Sequence, residues 1–205
     1  MGRIDLIISR VLYKVKDRGE HDIQKDEILS EMNQVQVDLC RDYFAIKVEL
    51  KLILTAQQEQ YPLDPTIFKI KEFIEPAAWD DGVEVVDNSA RWAKIKRCTQ
   101  FPTVQPLFGF QWNRILNLFP APPITGEEIT VLAYALPSVV LAFGADPEVG
   151  SEWDEALFLG TMNKLIGGDW SGKYDTEANK QMHQAAKESV KGIIKKESFI
   201  DDIGF

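Results

Sequence analysis

The spacing of apolar residues along this chain is helical, then alternating, then helical again. Ile4, Ile7, Ile8, Val11, Leu12 and Val15 recur three and four apart, which places them on one face of an α-helix. Arg10, Lys14 and Lys16 fall mostly on the other face. Gly19 suits the end of that helix and Asp22 the N-cap of the next. Ile28, Met32, Val35, Leu39 and Tyr43 then repeat at helical spacing. The two segments predict an αα-hairpin with a polar joint.

At Val48 the period drops to two. Val48, Leu50, Leu52 and Leu54 alternate with Glu49, Lys51, Ile53 and Thr55, the pattern of a strand with one buried face. Tyr61 to Leu63 and Ile67 to Ile74 read as further extended runs, and Val83 to Val86 as a local pairing segment. Asn88 or Ser89 can cap a short helix over Ala90 to Cys98. Gln111 to Phe119 and Ile129 to Leu136 predict an antiparallel pair joined through the turn from Pro120 to Gly126.

Helical spacing returns after Pro147. Ser151 is expected to cap a helix over Glu152 to Ile166, with Trp153, Leu157 and Gly160 on one face. Gly167, Gly168 and Gly172 are expected to form the loop that ends it. A last helix starts at Asp175 or Thr176 and carries Ala178, Met182, Ala185, Ser189 and Ile193. The expected fold class is α+β. An N-terminal helical hairpin (1–47) and C-terminal helices (147–197) form one helical bundle. A central antiparallel β-rich insertion (48–146) interrupts it, and a short tail (198–205) follows.

With 205 residues, 45% of them hydrophobic, the chain is long enough for a proper core, and its composition is not that of a disordered protein. The net charge of −9 disfavours non-specific adhesion to nucleic acid, which requires clustered Lys and Arg to neutralise phosphates. Cys40 and Cys98 are expected to be reduced, partly buried thiols. No apolar run reaches the roughly 18 residues of a membrane span, so a soluble protein made in the cytoplasm is expected, with no membrane partner.

Candidate chemistry is sparse. Gly167-x-x-x-x-Gly172-Lys173 nearly spells a phosphate-binding loop. It follows a helix instead of a strand, and Tyr174 stands where a Ser or Thr must meet magnesium. Glu49-Leu50-Lys51 has the E-x-K core of metal-dependent nucleases, with Asp64 and Asp80 as the nearest candidates for the further acidic ligand such a site needs. His21 and His183, the two histidines, lie in a turn and on a polar helix face. No catalytic, cofactor-binding or metal-binding set is assigned. Two stretches invite partners instead. Arg91, Lys94, Lys96 and Arg97, around Trp92, form a basic island suited to an acidic protein surface. The tail from Ser198 carries Phe199, Ile200, Ile203 and Phe205 beside Asp201 and Asp202. It is either a disordered end or a docking peptide that orders in a groove of another chain.

Three features together resemble the head-to-tail connector, or adaptor, proteins of tailed bacteriophages. They are the helical pair with Asp26-Glu27 before Ile28 to Asn33; the strand entering Gln60-Tyr61-Pro62-Leu63 with a second from Ile67; and Leu118-Phe119-Pro120-Ala121-Pro122 with a strand ending Tyr134-Ala135-Leu136-Pro137, an acidic Asp146-Pro147-Glu148 loop and a helix from Glu152. The resemblance spans nearly the whole chain, apart from Arg91 to Arg97 and the tail. It implies a homo-oligomeric ring, commonly of twelve copies, in the virion neck beneath the portal protein. Such a ring continues the DNA channel without sequence-specific binding and offers a platform to a head-closure or tail protein. The competing expectations are a metal-dependent nuclease or hydrolase using Glu49 and Lys51, and another virion part such as a head-closure or tail-completion protein.

Overall fold

The computed structural model describes residues 2–17, 23–75, 83–97 and 106–201, with side chains in the last helix described as far as Ala185. Gly19, His21, Asp22, Trp79, Asp80, Cys98 and the tail beyond Asp201 lie outside the described residues. The chain forms two compact units, one of 1–45 with 137–205 and the other of 46–136. Among the described residues no helix is long and apolar enough to cross a membrane.

Unit 1 is helical: α1 (Arg3–Asp17), α2 (Lys25–Tyr43), a 3₁₀ turn (Ser151–Trp153), α4 (Asp154–Ile166) and α5 (Trp170–Asp201). The apolar stripe of α1 is buried at Ile4, Ile7, Ile8, Val11 and Val15, and that of α2 at Ile28, Met32, Val35 and Leu39. Both stripes close on α4, whose residues Ala156 to Met162 are all buried. An unbroken run such as Ala-Leu-Phe-Leu has no polar face, so it is stable only as a helix surrounded by others. Burying each of its large side chains contributes about 1.5–3 kcal/mol. The N-terminal hairpin and the C-terminal helices therefore pack as one bundle. Arg3 joins α1 to α4 through an ion pair with Asp154 at 2.5 Å.

Three local expectations are corrected in unit 1. Ser151 makes no side-chain cap, because the chain enters α4 through a 3₁₀ turn whose Trp153 is buried. The last helix starts at Trp170 and not at Asp175. Gly172 is therefore helical, and the stop falls on Gly167 and Gly168, both at positive φ. A glycine is permissive but does not by itself force a break; Trp170, which sits edge-on to Phe158, anchors the first turn of α5 against α4.

Unit 2 holds two sheets around one core. A three-stranded antiparallel sheet has the order β1-β7-β3 (Lys47–Ile53, Glu128–Ala135, Ile67–Glu75). A four-stranded mixed sheet has the order β2-β6-β5-β4 (Gln60–Pro62, Ile115–Phe119, Phe108–Trp112, Glu84–Val86), with β4 parallel to β5. The core takes Leu54, Ile67, Ile70, Ile129, Val131, Ala133 and Ala135 with Tyr61, Leu63, Leu116 and Leu118. Val48, Leu50 and Leu52 pack against it from β1. Gly109 lets the ring of Phe73 approach β5, since a Cβ there would sit 2.6 Å from Phe73 Cε2.

The expected pairing of the segment 111–119 with 129–136 is corrected. That segment belongs to a hairpin, β5 turning into β6 at Asn113 and Arg114, both at positive φ. β7 pairs instead with β1 and β3. Two residues at positive φ form the kind of tight turn whose twist matches a hairpin. The usual cue is Asn-Gly, and arginine in the second place conceals it.

Candidate partner-binding surfaces

The helix α3 (Ser89–Arg97) carries the basic island. Asn88 Oδ1 accepts the backbone N–H of Ala90 at 2.8 Å and of Arg91 at 3.3 Å, satisfying donors that the first turn leaves open. One side of the helix is glued to the four-stranded sheet. Trp92 stacks on Phe110 with centroids 5.4 Å apart and meets Phe119 edge-on at 6.3 Å. Lys96 Nζ lies 5.2 Å from the Phe119 ring centre, close enough for attraction to the ring face.

The charges are not equivalent. Arg91 pairs with Glu84 at 2.6 Å and Lys96 with Glu59. Lys94 and Arg97 are exposed, lie on the helix side away from Trp92, and have no acidic partner among the described residues. Arg114, at the hairpin tip, is likewise exposed without one. Beside it the ring column continues: Phe110 stacks on Trp112 at 6.2 Å, and Trp112 is 59% exposed. The island is thus a half-docked helix with two cations, Lys94 and Arg97, that have no acidic partner among the described residues. Sequence reasoning missed Trp112 and Arg114 because the hairpin that presents them was itself hidden.

Unit 1 presents a second surface, formed by the segment 137–149. It has no regular secondary structure, yet side chains fix its backbone. The Glu148 carboxylate accepts the N–H groups of Ser138 (2.9 Å) and Val139 (2.8 Å) and the Ser138 hydroxyl (2.8 Å). Asn33 Oδ1 accepts the Leu141 N–H at 2.6 Å, and Asp5 Oδ1 that of Gly144 at 3.1 Å. Gln36 Oε1 accepts the Glu148 N–H at 3.2 Å. This frame holds Val139, Val140 and Phe143 in water at 65%, 76% and 48% exposure. On α1, Leu6 (57%) and Tyr13 (68%) are also exposed, seven residues apart and so on one helix face. Neither cluster was singled out from sequence: apolar residues in a loop such as 137–149 carry no periodicity, and Leu6 and Tyr13 lie off the buried stripe of α1.

Elsewhere the candidates stay apart. Glu49 lies exposed on β1 opposite Leu132, and Lys51 pairs with Glu128 at 2.7 Å. Among the described residues no group of three His, Cys, Asp or Glu side chains is placed to hold a metal ion, which weighs against the nuclease reading. His183 is exposed on α5, and Cys40 is buried in α2. Tyr43 and Tyr174 meet edge-on at 5.9 Å. Burial, and then the Asp175 carboxylate bonded to its hydroxyl at 3.1 Å, push the Tyr43 phenol up to about 12. Burial raises Tyr174 further. Their common cause is the packing of α2 on α5, so the pair reads as architecture. Of the tail, Phe199 and Ile200 lie within the span of α5, and Ile203 and Phe205 fall outside the described residues.

No protein-family model matches this chain, and no curated protein matches it.

Proposed function

We propose that this protein is a structural component of a tailed-phage neck: an adaptor whose copies form a ring beneath the portal, continue the DNA channel and seat the next neck or tail component. The observation that carries the reading is the framed segment 137–149. Three large apolar side chains are held in water by a network of side-chain to backbone hydrogen bonds. Leaving them exposed forgoes about 1.5–3 kcal/mol each. A backbone already ordered loses little entropy when a partner covers it. Such a surface suits assembly with other protein chains.

Charge supports the same reading. Unit 1 carries seven of the nine excess negative charges, and an acidic wall lets DNA pass without tight phosphate contacts. The helical unit is the proposed ring wall, and the two-sheet unit the outer or tail-facing surface. The test is imaging of phage particles labelled on this chain. Label at the head–tail junction is the expected result; a finished particle that lacks the chain overturns the reading.

A further inference from the structure

β1 is an outer strand of the three-stranded sheet, and among the described residues no strand lies on its open side. The other edges are blunted. β2 and β4 have three residues each, and β2 ends on Pro62. β3 has three register shifts against β7. Short strands, proline and bulges all keep an edge from pairing. β1 instead runs seven residues against β7 without a shift. At its two ends the Ile46 carbonyl accepts the Ala135 N–H at 3.1 Å, and the Leu54 N–H donates to the Glu127 carbonyl at 2.8 Å. In an unbroken antiparallel ladder such bonds fall on alternate residues. The even positions therefore bond to β7, and Lys47, Glu49, Lys51 and Ile53 turn their N–H and C=O groups to the open side.

The side chains of this edge complement themselves. Lys47, Glu49, Lys51 and Ile53 are exposed on one face, while Val48, Leu50 and Leu52 are half-buried on the other, against the core. Place β1 antiparallel to a second β1 about a two-fold axis at Leu50. Glu49 then faces Lys51 of the copy, Lys51 faces Glu49, Lys47 faces Ile53, and Leu50 faces Leu50. Glu49 has no cationic partner among the described residues. Lys51 pairs with Glu128 of its own β7, and Glu49 of the copy extends that pair into a row of alternating charge. A slide of two residues one way sets Glu49 on Glu49 and Lys47 on Lys51; the other way it sets Lys51 on Lys51. Like charges directly opposite are destabilising, and a slide of one residue turns the exposed face toward the core. Charges that would ordinarily protect an edge here select one register. We propose that two copies of this protein pair edge to edge through β1, antiparallel about Leu50, joining their three-stranded sheets into one. The pairing also covers Val48, Leu50 and Leu52, which the open edge leaves partly in water. A two-fold contact closes on itself and does not propagate, so it goes beyond the ring reading and adds a separate interface.

The test is sedimentation velocity on the full chain and on charge reversals in β1. The full chain is expected to form a dimer. Glu49→Lys and Lys51→Glu each bring like charges together twice across the axis, and each is expected to weaken pairing at least about tenfold. Mixed with each other, the two variants again set lysine opposite glutamate at both places, and the mixture is expected to pair as the parent does. Leu50→Cys reads the register. Residues facing across a non-hydrogen-bonded pair have Cα atoms about 4.5 Å apart, within reach of a disulfide. Oxidised Leu50→Cys is therefore expected to run as a cross-linked dimer on a non-reducing gel. Leu52→Cys, which faces Val48 of the copy, is expected to cross-link no more than the parent. Circular dichroism matching the parent shows that each variant is folded; should a cysteine variant misfold, the charge reversals decide alone. A parent that stays monomeric, single reversals that dimerise as the parent does, a mixture that does not pair, or equal cross-linking at both cysteine positions would each overturn the proposal. The adaptor reading is judged separately, by the position of label on particles.

Discussion

At Gly160 of α4, side chains of both α2 and α5 close on the backbone, and replacing it with alanine sets two known effects against each other. In a helix interior, alanine is favoured over glycine by about 1 kcal/mol. Here the added methyl would sit 2.5 Å from Val35 Cγ1 and 2.9 Å from Tyr174 Cε2. Val35 is 1% exposed, and a β-branched side chain in a helix has one strongly preferred rotamer. It cannot turn away, so the helices must part. Overpacking of this kind costs about 1–3 kcal/mol. Subtracting the helix gain leaves Gly160→Ala destabilised by up to about 2 kcal/mol, or a few degrees of melting temperature at about 2–4 °C per kcal/mol for a chain of this size. The assay is urea unfolding followed by far-ultraviolet circular dichroism on Gly160→Ala, Val35→Ala and the double variant. Truncating Val35 makes room for the methyl, so the double variant should be more stable than the sum of the singles by about 1–2 kcal/mol. A Gly160→Ala chain about 1 kcal/mol more stable than the parent, with additive effects, would refute the close approach of the three helices.

Glu148→Ala should release the segment 137–149: amide exchange at Ser138 and Val139 is expected to quicken by at least about tenfold, since both N–H groups lose their acceptor; unchanged protection counts against the frame. The Tyr174 hydroxyl is buried without a hydrogen-bond partner among the described residues, so Tyr174→Phe is expected to raise stability by about 1 kcal/mol in the same urea assay, and a loss of that size would mean the hydroxyl is bonded. Because the folded Tyr43 phenol lies near 12 against 10.0 when free, its contribution to stability is complete below pH 10 and is lost as pH rises toward 12. Asp175→Asn should move its ultraviolet titration toward lower pH, and a titration that stays in place would exclude the Asp175 bond as a cause.

What the amino-acid pattern determined by itself was local. The stripes of α1 and α2 were legible because a helix with one buried face must repeat its apolar residues at 3.6, and β1 because a strand buried on one side must alternate. The Asn88 cap was legible for a similar reason: a short polar side chain beside a helix start satisfies open N–H groups. Partnering was another matter. β7 reads equally well beside β6 or β1, since its alternation states which face is buried and not which strand lies next to it. The β5–β6 hairpin stayed hidden behind arginine at positive φ, and with it the stacking of Trp112 on Phe110. The basic island looked uniform until tertiary contacts matched Arg91 with Glu84 and Lys96 with Glu59, leaving Lys94 and Arg97 exposed. Periodicity records what each segment must bury, whereas the identity of the neighbour depends on contacts between residues far apart in the chain, and those exist only once it has folded.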